Sequence, residues 1–330
     1  MASHSEFGAK TTAEEVLAAF PDGLKGKVVV ITGVGPNGLG AALAQSIAAY
    51  TPKLLILTGR SASKVETIAK SITTPGVEIR QVIFDFSSFS SIAKGSEEIN
   101  AISGPTIDIL INNAGVMNMP ERRLSPDGFE LHLAINYLGL ALFTNNLLPK
   151  VKNSNAGRIV NVVSNAYAIS PFRFSDYNFD GVENLPEDEQ PSKEACEGFG
   201  IPYGFGYIPP IAYGQSKCAG VLYTRELAEK LKDTNATAFS LMPGAIETEL
   251  WREMPADVVK SILSTLPMKT MSQGISTILV AALDPKLKES GGAYLNDCQV
   301  EDVQPFAKDK AKAEKLWQLT EKLTGTTFTV

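Results

Sequence analysis

Short apolar runs with no polar alternation recur along this sequence, and a stretch with helical spacing follows most of them. The runs are Lys27–Thr32 (KVVVIT), Lys53–Thr58 (KLLILT), Ile79–Asp85, Ile107–Asn112, Arg158–Val163 and Thr237–Leu241, with Gly292–Leu295 a seventh. A strand that alternates polar and apolar residues has one wet face. A strand that does not is buried on both faces, as in a parallel sheet covered by helices. The segments Gly40–Tyr50, Ser63–Ile72, Gly128–Val151 and Tyr213–Lys232 place apolar residues near helical spacing. Repeated strand–helix units predict an α/β fold: a doubly wound parallel sheet of Rossmann type, about seven strands with helices on both faces.

The chain has 330 residues and a 44% apolar fraction, enough for one large core. We read residues 1–26 as a leader with a loose start and residues 27–330 as a single domain. A formal net charge of −6 argues against a surface built to grip nucleic acid or anionic membranes. Three cysteines cannot build a disulfide framework, which points to a reducing, cytoplasmic setting. The N-terminus lacks a secretory pattern, and no apolar stretch reaches the roughly 18–20 residues of a membrane span. Only two histidines are present, so no metal site is expected, and a Ser-His-Asp triad has little to draw on. His4 falls in the leader; His132, between Leu131 and Leu133, reads as structural.

The first apolar run leads into Thr32-Gly33-Val34-Gly35-Pro36-Asn37-Gly38-Leu39-Gly40 and then a helix. Gly33, Gly35 and Gly38 form G-x-G-x-x-G in the strand–loop–helix setting that makes the motif meaningful. Glycine lets the backbone turn tightly against a pyrophosphate, and the helix N-terminus offers N–H groups and a positive dipole end. Asn37 and Leu39 complete the expected cofactor loop. The second run ends in Thr58-Gly59-Arg60, where an acid would select a ribose hydroxyl. Arg60 instead offers planar donors to a 2′-phosphate, so NADP(H) is the expected cofactor. Asp85 reads either as an adenine contact or as a cap for the Ser-rich turn after it.

Tyr213 and Lys217 are spaced i, i+4, which puts them on one helix face. An ammonium beside a phenol lowers its pKa and makes proton transfer practicable near neutral pH. Four further motifs accompany this pair: Asn112-Asn113-Ala114-Gly115, Ile135-Asn136-Tyr137-Leu138-Gly139, Arg158–Ser164, and Leu241–Thr248 with its Pro243-Gly244 step. In that order they resemble the short-chain dehydrogenase/reductase family. Gly115-Val116-Met117, Asp127–Glu130, Thr224–Leu227 and Gly291–Cys298 are similar to its retinol-dehydrogenase-like branch, which includes fungal reductases. The resemblance implies catalytic roles for Asn136, Ser164, Tyr213 and Lys217. Tyr213 would be the general acid, with Lys217 lowering its pKa and holding the nicotinamide ribose. Ser164 would bond the substrate oxygen, and Asn136 would hold a relay water. Cofactor contacts would come also from Asn113, Ala114, Gly115, Pro243, Gly244, Ile246 and Thr248.

Two departures from the family pattern stand out. The glycine loop is one residue longer, and about 48 residues (Asn165–Ala212) separate Ser164 from Tyr213. That insertion holds 9 aromatic residues, far above the 8% of the whole chain, so it reads as a wall or lid for an apolar substrate. Tyr167, Phe172, Phe205 and Tyr207 are its candidate substrate residues. The alternative is that the aromatics pack the loop onto the body and the acidic Glu187–Glu194 part is a solvated excursion. Residues 247–267 form a second expected substrate segment, with Trp251 and Met254 as candidates. The expected activity is NADP(H)-dependent interconversion of a carbonyl and an alcohol, most of all reduction of a bulky hydrophobic ketone or aldehyde such as a natural-product intermediate. The alternative is a non-redox isomerase, cyclase or dehydratase with the nucleotide held structurally. The expected partner is a hydrophobic small molecule, with a homo-oligomer the family's default.

Overall fold

Each expected apolar run forms a strand in the computed structural model: β1 (Val28–Ile31), β2 (Leu54–Gly59), β3 (Glu78–Ile83), β4 (Ile109–Asn112), β5 (Arg158–Val162), β6 (Thr237–Met242) and β7 (Tyr294–Asn296). The structure describes residues 2–182 and 184–330; Met1 of the expected leader and Glu183 of the expected insertion lie outside the described residues. An eighth strand, β8 (Gln299–Glu301), goes beyond the seven read from the sequence. It folds back on β7 through Asp297 and Cys298, both at positive φ (48° and 64°), the backbone a two-residue hairpin requires. Three largely exposed residues carry no hydrophobic pattern, which is why β8 is silent in the sequence.

The sheet order is β3-β2-β1-β4-β5-β6-β7-β8, parallel throughout except for the β7–β8 pair. The helices are α1 (Ala13–Ala19), α2 (Leu39–Ala48), α3 (Ala62–Ser71), α4 (Phe89–Ile102), α5 (Leu131–Leu133), α6 (Gly139–Lys152), α7 (Lys193–Gly198), α8 (Pro209–Lys230), α9 (Ala256–Leu263), α10 (Met271–Leu283) and α11 (Lys310–Thr324). Successive strand residues point to opposite faces, so Val28 and Val30 join one core while Val29 and Ile31 join the other. Helices α4, α6, α8 and α11 close the first core; α1, α2, α3 and α10 close the second.

The long helix expected over Gly128–Val151 starts at Leu131 and is interrupted by a π-helical turn, Ala134–Leu138. The Gly139 N–H donates to the Ala134 carbonyl, five residues back. Such turns recur at functional sites, and this one carries Asn136.

The leader is not loose. A capping box between Thr12 and Glu15 starts α1, whose Val16 and Leu17 are buried in the second core. Ser3 donates twice to the Asp284 carboxylate (2.6 and 2.5 Å), and Gln299 Nε2 donates to the carbonyls of His4 and Phe7 (2.8 and 2.9 Å). The His4 ring stacks on Phe7.

The insertion is also pinned, including its acidic part. Arg173 is fully buried; it donates to Asp176 and to the Phe205 carbonyl (both 2.7 Å) and lies 4.2 Å over the Phe179 ring. Glu189 is buried and accepts from the Ser175 N–H and hydroxyl, while Asp188 pairs with Lys312 of α11 at 2.9 Å. The excursion is therefore solvated only in part: Glu187 and Glu194 are exposed, while Glu189 is buried and Asp188 is tied to α11.

Candidate active site

A cavity of about 1090 Å³ opens where the C-terminal ends of β1, β2, β4, β5 and β6 meet. The chain order reverses between β1 and β4, and doubly wound sheets bind ligands outside that point.

The glycine loop floors one end. Gly33 sits at φ +71°, and a Cβ there would stand 2.7 Å from the Ala114 Cα. Gly40, which the sequence reading left outside its motif, does the close helix–strand packing: its Cβ would stand 2.5 Å from the Gly33 carbonyl oxygen. The extra residue is absorbed at Asn37, whose φ of 56° is a backbone state asparagine tolerates. Gly33, Gly35, Pro36, Gly38 and Leu39 line the cavity, and Asn37 is not among its lining residues. Gly38 caps α2 without a side-chain bond, leaving the first turn to meet an anion. Thr32 Oγ1 accepts from the N–H groups of Asn113 (2.9 Å) and Ala114 (3.0 Å), which locks the ends of β1 and β4 together.

Arg60 lies on the same wall at the end of β2. Asp85 also reaches the wall, while its Oδ1 accepts the Ser87 N–H (2.8 Å) and shapes the turn into α4. Ala114, Gly115, Pro243, Gly244, Ile246 and Thr248 line the cavity further along.

Tyr213, Lys217 and Ser164 meet at its far end. Lys217 Nζ lies 5.5 Å from the Tyr213 ring centroid and donates to the Val162 carbonyl at 3.1 Å. Burial lowers the Lys217 ammonium to about 8 and pushes the Tyr213 phenol up to about 12, with the Ser164 hydroxyl acting the other way. On its own, an ammonium beside the phenol would lower it. In the folded chain desolvation is the larger effect, because both groups are enclosed and the neutral phenol needs no counter-charge. Ser164 Oγ also accepts the Ala166 N–H at 3.2 Å, starting the short turn Asn165–Ala168.

Asn136 stands one layer behind the wall. Its Oδ1 accepts the Val116 N–H (2.9 Å), and its Nδ2 donates to the Val116 carbonyl (3.0 Å) and Ser216 Oγ (2.9 Å). The amide thus fixes the segment after β4.

The substrate end differs most from expectation. Trp251 is on the wall, its indole N–H bound to the Ile246 carbonyl (3.0 Å), and so is Met254. Tyr167, Phe172, Phe205 and Tyr207 are not. Tyr167 packs edge-on to Tyr294 and accepts the Gln304 N–H; Phe172 is 2% exposed, in the first core. Phe205 sits against Tyr203 and gives its carbonyl to Arg173. From the insertion, Phe199, Ile201 and Pro202 face the cavity instead, joined by Met117 and Asn118 from the loop after β4. Aromatic enrichment marks the segment but not which rings turn inward.

Tyr207 acts from behind. Its hydroxyl donates to the Met119 carbonyl (2.9 Å), and burial followed by the Glu130 charge pushes its phenol up. On the other side His132 Nε2 accepts the Met119 N–H (3.2 Å), so Nδ1 carries the proton toward Glu130 Oε1 at 2.8 Å. His132 is structural, as the sequence suggests, but it lies 6.1 Å from the Tyr213 ring and clamps a peptide of the cavity's supporting loop.

Among the described residues no helix is long and apolar enough to cross a membrane, and no cluster of His, Cys, Asp and Glu has the makings of a metal site. Comparison with known proteins identifies the relatives. A family model described as short chain dehydrogenase matches residues 27–178. The chain is 40% identical over 244 residues to the oxidoreductase fscI of Fusarium equiseti, covering 72% of this chain and 94% of that one. It is 34% identical over 304 residues to retinol dehydrogenase 12 of Mus musculus, covering 92% and 87%. The crystal structure of an uncharacterised protein from Mycobacterium Paratuberculosis superposes with a TM-score of 0.69 at 27% identity, over 97% of this chain and all (100%) of that one. The chain belongs to the short-chain dehydrogenase/reductase family, on its retinol-dehydrogenase-like branch, and is an oxidoreductase of the kind that uses a nicotinamide cofactor.

Proposed function

We propose that this chain is an NADP(H)-dependent oxidoreductase that interconverts a carbonyl and an alcohol, working chiefly as a reductase of bulky hydrophobic ketones or aldehydes. The observation that carries this reading is one continuous cavity with Arg60 at one end and Tyr213, Lys217 and Ser164 at the other. The uncapped start of α2 and the open backbone at Gly35 fit a dinucleotide pyrophosphate, and Arg60 fits a 2′-phosphate. When bound, the nicotinamide supplies or accepts hydride.

The chain's own groups supply the rest. Tyr213, held as a neutral phenol, donates its proton to the carbonyl oxygen as negative charge develops there. Ser164 Oγ donates a hydrogen bond to the same oxygen. Lys217, charged below about pH 8, stabilises the phenolate left behind. Trp251, Met254, Phe199 and Ile201 exclude water and accept an apolar body. The three cysteines are free and buried, in keeping with a cytoplasmic site of action.

The test is consumption of NADPH and of NADH with a panel of polycyclic ketones and long aldehydes, retinal among them because several relatives are named retinol dehydrogenases. NADPH consumption that disappears in Tyr213→Phe is expected. Equal turnover by wild type and Tyr213→Phe would sink the mechanism. Product formed without nicotinamide oxidation would turn the reading to an isomerase, cyclase or dehydratase.

A further inference from the structure

Most cations on the cavity wall are already engaged. Lys64 pairs with Glu249 (2.6 Å), Lys269 pairs with Asp297 (2.5 Å), Arg252 donates to the Glu249 carbonyl (3.0 Å), and Lys217 donates to Val162. Among the described residues, two wall cations have no ion-pair or side-chain hydrogen-bond partner: Arg60 and Lys10. Arg60 belongs to the strand–helix repeat. Lys10 does not; it comes from the leader.

The leader is held in place there by its backbone. The Lys10 carbonyl accepts from Gln273 Nε2 (3.3 Å), and the Ala13 N–H donates to Ser272 Oγ (2.9 Å), both on the first turn of α10. Just before this, the Gly8 N–H donates to Thr11 Oγ1 (2.8 Å), closing a tight turn that presents Ala9 and Lys10 to the cavity. The same first turn of α10 lies against the glycine loop. A Cβ on Gly274 would stand 2.8 Å from Ile246 and 3.2 Å from Leu39, the first residue of α2. Lys10 is therefore anchored beside the N-terminus of α2.

We propose that Lys10 is a cofactor-binding residue whose ammonium binds the pyrophosphate of the nicotinamide dinucleotide, so that the leader forms one wall of the cofactor site. This rests on the reading that the dinucleotide lies along the glycine loop. A pyrophosphate at the start of α2 meets backbone N–H groups on one side only. A lysine on a long flexible stem reaches an exposed phosphate oxygen without needing a fixed geometry. In a chain of net charge −6, a free cation at the cavity mouth also favours entry of an anionic ligand.

The experiment is titration of the full chain with NADPH and with NADH, following nucleotide fluorescence, for wild type, Lys10→Ala, Lys10→Glu, Lys10→Arg and the leader control Lys25→Ala. Lys10→Ala weakens both nucleotides by about three- to tenfold and Lys10→Glu by more, as expected for one charge-assisted contact in a partly wet site. Lys10→Arg restores affinity, Lys25→Ala leaves it at the wild-type value, and the Lys10→Ala loss shrinks as salt rises. Lys10 is exposed, so melting temperatures stay at the wild-type value and separate binding from folding. A loss confined to NADPH would move Lys10 to the 2′-phosphate and overturn the assignment. Wild-type affinity in both Lys10→Ala and Lys10→Glu would overturn this proposal alone. Failure of wild type to bind either nucleotide would overturn the underlying reading together with it.

Discussion

Replacing Lys217 with Met should make the protein more stable while ending its turnover. Lys217 is 6% exposed, and its ammonium has one hydrogen-bond partner, the Val162 carbonyl. The difference between an ordinary lysine at 10.5 and about 8 in this site corresponds to about 3 kcal/mol of destabilisation whenever the group is charged in both folded and unfolded chains. That condition holds near neutral pH. Methionine has a similar reach and no charge to desolvate, so the cost disappears, offset by about 1 kcal/mol for the lost bond to Val162. The net gain is about 2 kcal/mol. For a chain of this length, with an unfolding entropy of about 0.7 kcal/mol per degree, the melting temperature rises by about 3 °C. Above about pH 8 the folded lysine releases its proton while the unfolded one keeps it up to about pH 10.5. Wild-type stability therefore climbs relative to the variant across that window, and the gap closes. Calorimetry of both proteins near neutral pH and at about pH 9.5 checks this. A Lys217→Met variant that melts below wild type near neutral pH, or a gap unchanged between the two pH values, would refute the argument that burial sets this ammonium.

Three further outcomes follow from the geometry. Arg60→Ala should weaken NADPH by about tenfold and NADH hardly at all, because only the 2′-phosphate loses a partner; titration with both nucleotides reads this out. Gly33→Ala should abolish dinucleotide binding and cost about 2–4 kcal/mol in denaturant melts, since the residue sits at φ +71° and its new Cβ would stand 2.7 Å from Ala114. His132→Leu should cost about 2–4 kcal/mol, because it leaves the Met119 N–H without its acceptor and the buried Glu130 carboxylate short of a donor. Urea unfolding measures that loss, and a neutral result would remove the clamp from the account of the site.

Strands β1 to β7, the glycine loop and the Tyr213–Lys217 spacing were legible because each rests on local periodicity or on residues close in sequence. Asn37 marks the limit of that logic: a motif match does not show at which residue a lengthened loop takes up positive φ. Asn136 was legible as a site residue but not in its contacts, since Val116 and Ser216 reach it only through the tertiary fold. Tyr167, Phe172, Phe205 and Tyr207 were misplaced for a related reason. In a segment without a period, composition reports how much apolar surface must be buried, not on which side. The inward residues Phe199, Ile201 and Pro202 follow the short helix α7, whose position is set by the Ser192 N–H on the Ile169 carbonyl and by the buried Cys196.

The two stretches that break the strand–helix rhythm end at opposite ends of one cavity. The repeat alone places the glycine loop, Ser164 and the Tyr213–Lys217 pair, because each sits at a strand end or on the helix packed against it. It leaves the walls to be supplied from elsewhere. The leader brings Lys10 to the start of α2 through bonds to α10, and the insertion brings Phe199 and Ile201 to the side nearer Tyr213. The insertion meets the reacting groups at Ala166, whose N–H donates to Ser164 Oγ, but Lys10 and Phe199 stand apart from them, so each can change cofactor affinity or substrate fit without disturbing the proton donor. That separation has a testable consequence at the substrate end. Phe199→Ala removes an apolar wall residue that is itself half exposed, so it should raise KM for bulky ketones by several-fold with dinucleotide affinity and melting temperature unchanged. A change in dinucleotide affinity instead would mean that the two ends of the cavity are coupled through the insertion.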